Sequence, residues 1–259
     1  MAISLLNQRE YKVTDKVTVR IPTLGEYRGY VGENQFDLKK RADYEFLMNL
    51  FLSTPSNYML QLHKIGRDFR KISEYEFFIE LFYAEFIYAK TITSETIDSR
   101  ILFNNIDFRE LHIITDDNGK TVIVNDNGEI VIDEYVYIQV GLLFCEILNT
   151  KKYRRKPANQ AAYDYFIELE EEHQRNRKRI KRKEQNQFDE LIIAMVCDGN
   201  FPYDFNTINS LTVYDFNCCV RQIIKRVNYN NIMRGAYSGF GTIDLKKIDK
   251  AELNYLSFR

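Results

Sequence analysis

The side chains that most readily act as nucleophiles, bases or metal ligands are few and scattered in this sequence. The three histidines, His63, His112 and His173, sit in three unrelated contexts. The four cysteines are Cys145, Cys197, Cys218 and Cys219. None forms the short Cys-x-x-Cys spacing that a structural zinc site uses, so they are read as buried, reduced thiols. No His-Glu-x-x-His helix and no Gly-x-Ser-x-Gly elbow is present. Gly235, Gly239 and Gly241 form a loose glycine run, "GAYSGFG". It lacks the preceding strand and the Lys-Ser/Thr of a phosphate loop. Asp116, Asp117, Asn118 and Asp126 gather oxygens near two turns. A calcium loop needs more ligands at set spacing, so these residues are read as turn formers. No catalytic residue, cofactor or metal is assigned.

Charge offers the other chemistry. "HQRNRKRIKRKEQNQ", His173 to Gln187, puts seven basic side chains into the nine positions Arg175–Lys183. Glu168, Glu170, Glu171 and Glu172 come just before. Acid toward the start of a helix and base toward its end complement the helix dipole. Three readings stand: a solvated connector, a phosphate grip through Arg175, Lys178, Arg179, Arg182 and Lys183, or a contact with an acidic protein surface. The formal net charge of −1 over 259 residues argues against a dedicated nucleic-acid binder.

Composition bounds the rest. Hydrophobic residues make up 45% and charged residues 28%, a folding rather than a disordered profile. Eighteen Tyr and eighteen Phe suit interaction surfaces as well as a core. The N-terminus does not read as a signal peptide, and no apolar run is long enough to span a membrane. The expected location is the cytoplasm.

The elements that must position these residues are mostly helical. Val13, Val17, Val19 and Ile21 alternate with polar residues, predicting a strand or hairpin. A helix is predicted over about 35–52, with a stripe through Leu38, Ala42, Phe46 and Leu50. A second follows over about 55–65, capped by Ser53 or Thr54 and stopped at Gly66. Ser73 and Glu76 form a capping box for a helix over about 74–89. That helix is apolar on nearly every face, so it is either a core helix or one that also serves a partner. "LHIITDDNGKTVIVNDNGEIVID" predicts a three-stranded meander around two Asn-Gly turns. Further helices are predicted over about 134–149, 158–184 and 188–198, the last stopped at Gly199. The last predicted helix is capped by Thr212 with Asp215 and carries a stripe of Phe216, Val220, Ile223, Ile224 and Val227. The fold class is therefore α+β, predominantly α-helical. The expected division is an N-terminal unit 1–150, a charged connector 151–186 and a small helical unit 187–259.

Four stretches carry a resemblance: "VRIPTLGEYRGY", "YMLQLHKIGRDFRKISEYEFFIEL", "FPYDFNTINSLTVYDFNCCVRQIIKR" and "MRGAYSGFGTIDLKKIDKAELNYLSF". Together they resemble tail assembly chaperones of phages of Gram-positive bacteria. The resemblance implies a non-enzymatic partner of the tape-measure protein, with the tail tube protein as a further contact; the neutral total charge with separated acidic and basic patches suits self-association. On that reading the partner surface is Tyr75, Phe78, Phe82 and Phe86, with Phe201, Tyr203 and Phe205. Arg175, Arg179 and Arg182 are auxiliary. The rival readings are a structural tail component and a nucleic-acid-binding regulator using 175–183.

Overall fold

Val17, Val19 and Ile21 alternate along the chain, and the hairpin they build turns all three inward. The computed structural model describes residues 5–32, 35–52, 55–91, 97–104, 106–117, 119–150, 157–184, 187–199, 201–237, 248, 253–254 and 256. The side chains of 31–32, 35–36, 55–57, 177–184 and 187–188 are outside that description. β1 (Glu10–Lys12) pairs antiparallel with β2 (Thr18–Arg20), Tyr11 opposite Val19. Thr23 and Glu26 then cap α1 (Leu24–Tyr27) reciprocally.

The helix expected from residue 35 starts later. β3 (Tyr30–Gly32) and β4 (Gln35–Phe36) form a second short antiparallel ladder. The Asp37 carboxylate accepts the backbone N–H groups of Lys39 and Lys40, both at 3.0 Å, so α2 runs from Leu38 to Leu52. Its buried side is Tyr44, Leu47, Met48 and Phe51, whereas Leu38 is 72% exposed. Of the expected stripe, Leu50 is buried and Phe46 packs half-buried on the core, while Leu38 and Ala42 face outward. α3 (Pro55–Lys64) ends where Gly66 takes φ +75°. There Gly66 N–H donates to His63 and Arg67 N–H to Leu62, which satisfies two end carbonyls. The proposed Ser53/Thr54 cap lies outside the described residues.

Ser73 and Glu76 cap α4 (Glu74–Phe82) as a capping box. α4 passes into a π-helical turn, Tyr83–Tyr88, and a 3-10 turn, Ala89–Thr91. After α5 (Arg100–Phe103), strands β5 (His112–Thr115), β6 (Thr121–Val124) and β7 (Ile130–Ile132) form the antiparallel meander in the order β5-β6-β7. Its second turn is a three-residue loop rather than a two-residue one. Asn125 N–H donates to Glu129 across it, and Gly128 takes the left-handed position at φ +76°. The Asn125 side chain accepts the N–H groups of Asn127 and Glu129, and Asp116 accepts that of Lys120.

Asp133 caps α6 (Glu134–Ile147). Then come α7 (Gln160–Glu184), α8 (Gln187–Val196) and α9 (Val213–Tyr237). The fold is α+β and mostly helical. None of the helices among the described residues is long and apolar enough to cross a membrane.

The main core draws side chains from both ends of the chain, from Leu5 and Val19 to Ile192, Met195, Phe201 and Phe216. Backbone closes the same seam: Leu24 N–H donates to Leu211 at 2.8 Å and Val213 N–H to Pro22 at 2.9 Å. Residues 187–218 therefore do not form a separate hydrophobic unit, contrary to the expected division. Thr212 caps α9, accepting from Asp215 N–H at 3.0 Å and donating to the Asp215 carboxylate at 2.7 Å. The predicted α9 stripe is buried at Phe216, half-buried at Val220 and Ile223, and exposed at Ile224 and Val227. The first turns of α9 make the packing, on α1 and α6.

A satellite core gathers Tyr58, Leu62, Phe69 and Phe77 around Tyr163 and Ile167 of α7. The charged helix is therefore anchored at its start and is no free connector.

Candidate protein-binding cleft

The aromatic side of α4 faces the core. Phe78, Phe82 and Phe86 are fully buried and Tyr75 is nearly so. Phe78 lies 4.9 Å from Phe51 and 4.8 Å from Tyr137, ring centre to ring centre, while Phe82 and Phe86 lie 5.3 and 5.2 Å from Phe108. Residues four apart on an α-helix drift by about 40° per step. The wider π-turn after Phe82 cancels that drift, so Phe86 stays on the inward side. Phe78, Phe82 and Phe86 are therefore a correction to the expectation: they hold the core and are not available to a partner, while Tyr75, nearly buried, keeps only its edge at the surface.

The second expected patch divides. Phe201 is buried, 5.4 Å from half-buried Tyr203 and 6.4 Å from Phe216. Phe205 is 56% exposed. Arg175 is exposed on α7 and donates to Glu171 at 3.0 Å. Arg179 and Arg182 lie on α7, but their side chains fall outside the described residues, as do Gly239 and Gly241 and most of the fourth family-like stretch. Among the described residues, the expected ones are not brought together as one surface.

A different surface is built on the far side of α4. Glu76, Ile79 and Glu80 line a cleft of about 810 Å³ with Thr121, Val122 and Ile130 of the meander and with Tyr135 and Ile138 of α6. Tyr135 is 63% exposed, and Ile130 is exposed too. A second cleft, about 570 Å³, shares Tyr75, Glu76, Glu134 and Ile138 and reaches Tyr58, Phe69 and Pro157. Tyr75 is the fixed point between them. Its hydroxyl donates to the Thr121 carbonyl at 3.0 Å, tying α4 to the meander. Burial, then the nearby Asp133 and Glu134, push its pKa up, so it stays a neutral donor. Tyr58 is likewise pushed up to about 12, chiefly by burial. Its hydroxyl donates to the carbonyls of Phe69 and Ile72.

The rim of the larger cleft is negative: Glu76, Glu80, Asp116, Asp133 and Glu134 against one cation, Lys120. Four of these carboxylates also hold structure. Glu76 accepts from Ser73 N–H, Glu80 from Arg67, Asp116 from Lys120 N–H and Asp133 from Val136 N–H. The arrangement offers apolar contact bounded by acid.

Ser73 and Glu76, which line both clefts, are engaged with each other as the capping box of α4. The histidines are engaged separately, His63 with the Tyr163 hydroxyl at 3.2 Å and His112 with Asp126 at 2.9 Å. His173 lies 3.9 Å from Glu170. Burial pushes the Cys218 and Cys219 thiols up, away from the reactive thiolate. Among the described residues no group of three or more His, Cys, Asp or Glu could hold a metal ion.

The sequence reading missed Ile79, Ile130, Tyr135 and Ile138. One faint signal exists: "GEIVID" holds three apolar residues where strict alternation would allow two, and the outer one, Ile130, is left exposed. Compared with protein-family models, with curated proteins and with solved structures, the chain matches none of them.

Proposed function

We propose that this chain is a tail assembly chaperone of a phage of a Gram-positive bacterium. It is a non-enzymatic protein of the host cytoplasm that holds the tape-measure protein, with the tail tube protein as a second partner. The four family-like stretches support the reading. The single structural observation in its favour is the open cleft where Ile79, Ile130, Tyr135 and Ile138 meet under an acidic rim. An amphipathic helix can lay apolar side chains, three and four residues apart, into such a groove. A tape-measure protein is long and helical, and its apolar stripes need cover until tube subunits surround it.

The test is co-expression with the proteins encoded beside this gene, among which this reading expects a tape-measure protein. Wild type is expected to keep that protein soluble and to co-purify with it. Tyr135→Ser with Ile138→Ser is expected to weaken capture by at least ~30-fold, since each removes apolar contact worth ~1–2 kcal/mol. Tyr135 is exposed but Ile138 packs half-buried on the core, so thermal melting checks that the double variant is folded. An aggregated tape-measure protein in the presence of wild type would overturn the proposal. Stoichiometric recovery of this protein from purified virions would replace it with a structural tail component.

A further inference from the structure

The packed side of α7 is Tyr163, Ile167, half-buried Glu170 and half-buried Gln174, the last bonded to Lys64. The opposite line is 165, 168, 172 and 175, all exposed. Steps of three and four continue that line to positions 179 and 182 of the same helix. The residues along it are Tyr165, Glu168, Glu172, Arg175, Arg179 and Arg182. Along the described side chains the outward line therefore begins with an aromatic ring, passes through two acids and reaches the Arg175 guanidinium; in the sequence, arginines also stand at positions 179 and 182.

That order is its own complement when reversed. We propose that α7 pairs antiparallel with α7 of a second copy of this chain, about a two-fold axis between Glu172 and Arg175. Each helix then sets Glu172 against Arg175 of the other, the helical register brings positions 168 and 165 opposite positions 179 and 182, and the axis repeats every pair. A parallel pair would set acid on acid and base on base, so the charges select one direction. Arg175 already donates to Glu171 of its own helix, and its forked head has further N–H groups for a partner's Glu172. The pairs are exposed, so the dimer is weak and salt-screened.

Charge exchange tests the pairing. The full-length, nuclease-treated protein is examined by sedimentation at ~20 mM and at ~500 mM salt, where the Debye length falls from roughly 20 Å to about 4 Å. Wild type is expected to dimerise at low salt and to dissociate at high salt. Glu168→Lys with Glu172→Lys is expected to be monomeric at both, and so is Arg175→Glu with Arg179→Glu. An equal mixture of the two variants is expected to regain the dimer, because every opposed pair is again acid with base. Thermal melting confirms that each variant is folded. A wild type that stays monomeric at low salt overturns the proposal. A dimer that survives either reversal, or a mixture that fails to recover it, does the same. None of the four positions lines the cleft, so loss of the dimer and loss of client capture are separately readable.

Discussion

α4 and α7 stand at opposite ends of the chain's composition. α4 and its π-turn are aromatic on nearly every side, and α7 is charged along most of its length. The first looks like a sticky surface and the second like a strut in solvent. Folded, α4 points Phe78, Phe82 and Phe86 into the core and leaves Tyr83 and Tyr88 outside. α7, in spite of its charge, is pinned by two apolar residues four apart, Tyr163 and Ile167. Phe69 stacks on the Tyr163 ring at 4.7 Å, and the Arg70 guanidinium lies 4.7 Å from the same ring. Overall composition tells how much a helix will bury; a single i, i+4 pair is enough to tell whether it is attached.

The comparison breaks first at Phe78. Phe78→Ala should remove about 3–5 kcal/mol of stability, because its ring packs against Phe51, Tyr75, Phe82 and Tyr137. Urea denaturation measures this. If Phe78→Ala instead left stability unchanged while abolishing client capture, α4 would be a partner surface after all.

Tyr163→Ala should cost less, roughly 2–4 kcal/mol, and its effect should be local. Amide exchange across 160–170 is expected to accelerate while α4 keeps its protection. Equal acceleration in both helices would mean that the satellite core is not a separate unit.

Acid should give the smallest effect. Asp68 caps the Phe69–Lys71 turn, and the Arg70 side chain holds its pKa down to about 2. The folded value lies below the ordinary value near 4, so the contribution is complete above about pH 4 and fades as pH falls toward 2. Arg70 also donates to Gln160 at the start of α7. Lowering the pH through that window is therefore expected to loosen α7 before α4. Asp68→Asn should remove the pH dependence of α7 exchange. Asp107, also held low by Arg109, makes the same device before Phe108 of the main core, so the variant leaves that turn acid-sensitive.

Much of the element order was legible because its signals are local. Ser73 with Glu76 and Thr212 with Asp215 start helices by bonds that span three residues. Asn127-Gly128 bends the meander because glycine accepts positive φ. The start of α2 was misread where Asp37, rather than periodicity, sets the first turn. The site was less legible. Tyr75, Phe78, Phe82 and Phe86 carry the right chemistry for a partner surface, but burial depends on what packs across from them. Ile79 and Ile138 join one cleft from positions 59 residues apart, which no local pattern records.

The sequence by itself determined the mostly helical class, the meander, the caps and the sorted charge of α7, since each depends on residues a few positions apart. Only the tertiary structure decided that 5–24 and 187–218 share one core, that the aromatic face of α4 is filled, and that the open surface lies on its other side. A helix has several apolar faces to offer, and the neighbours that fill them come from distant parts of the chain.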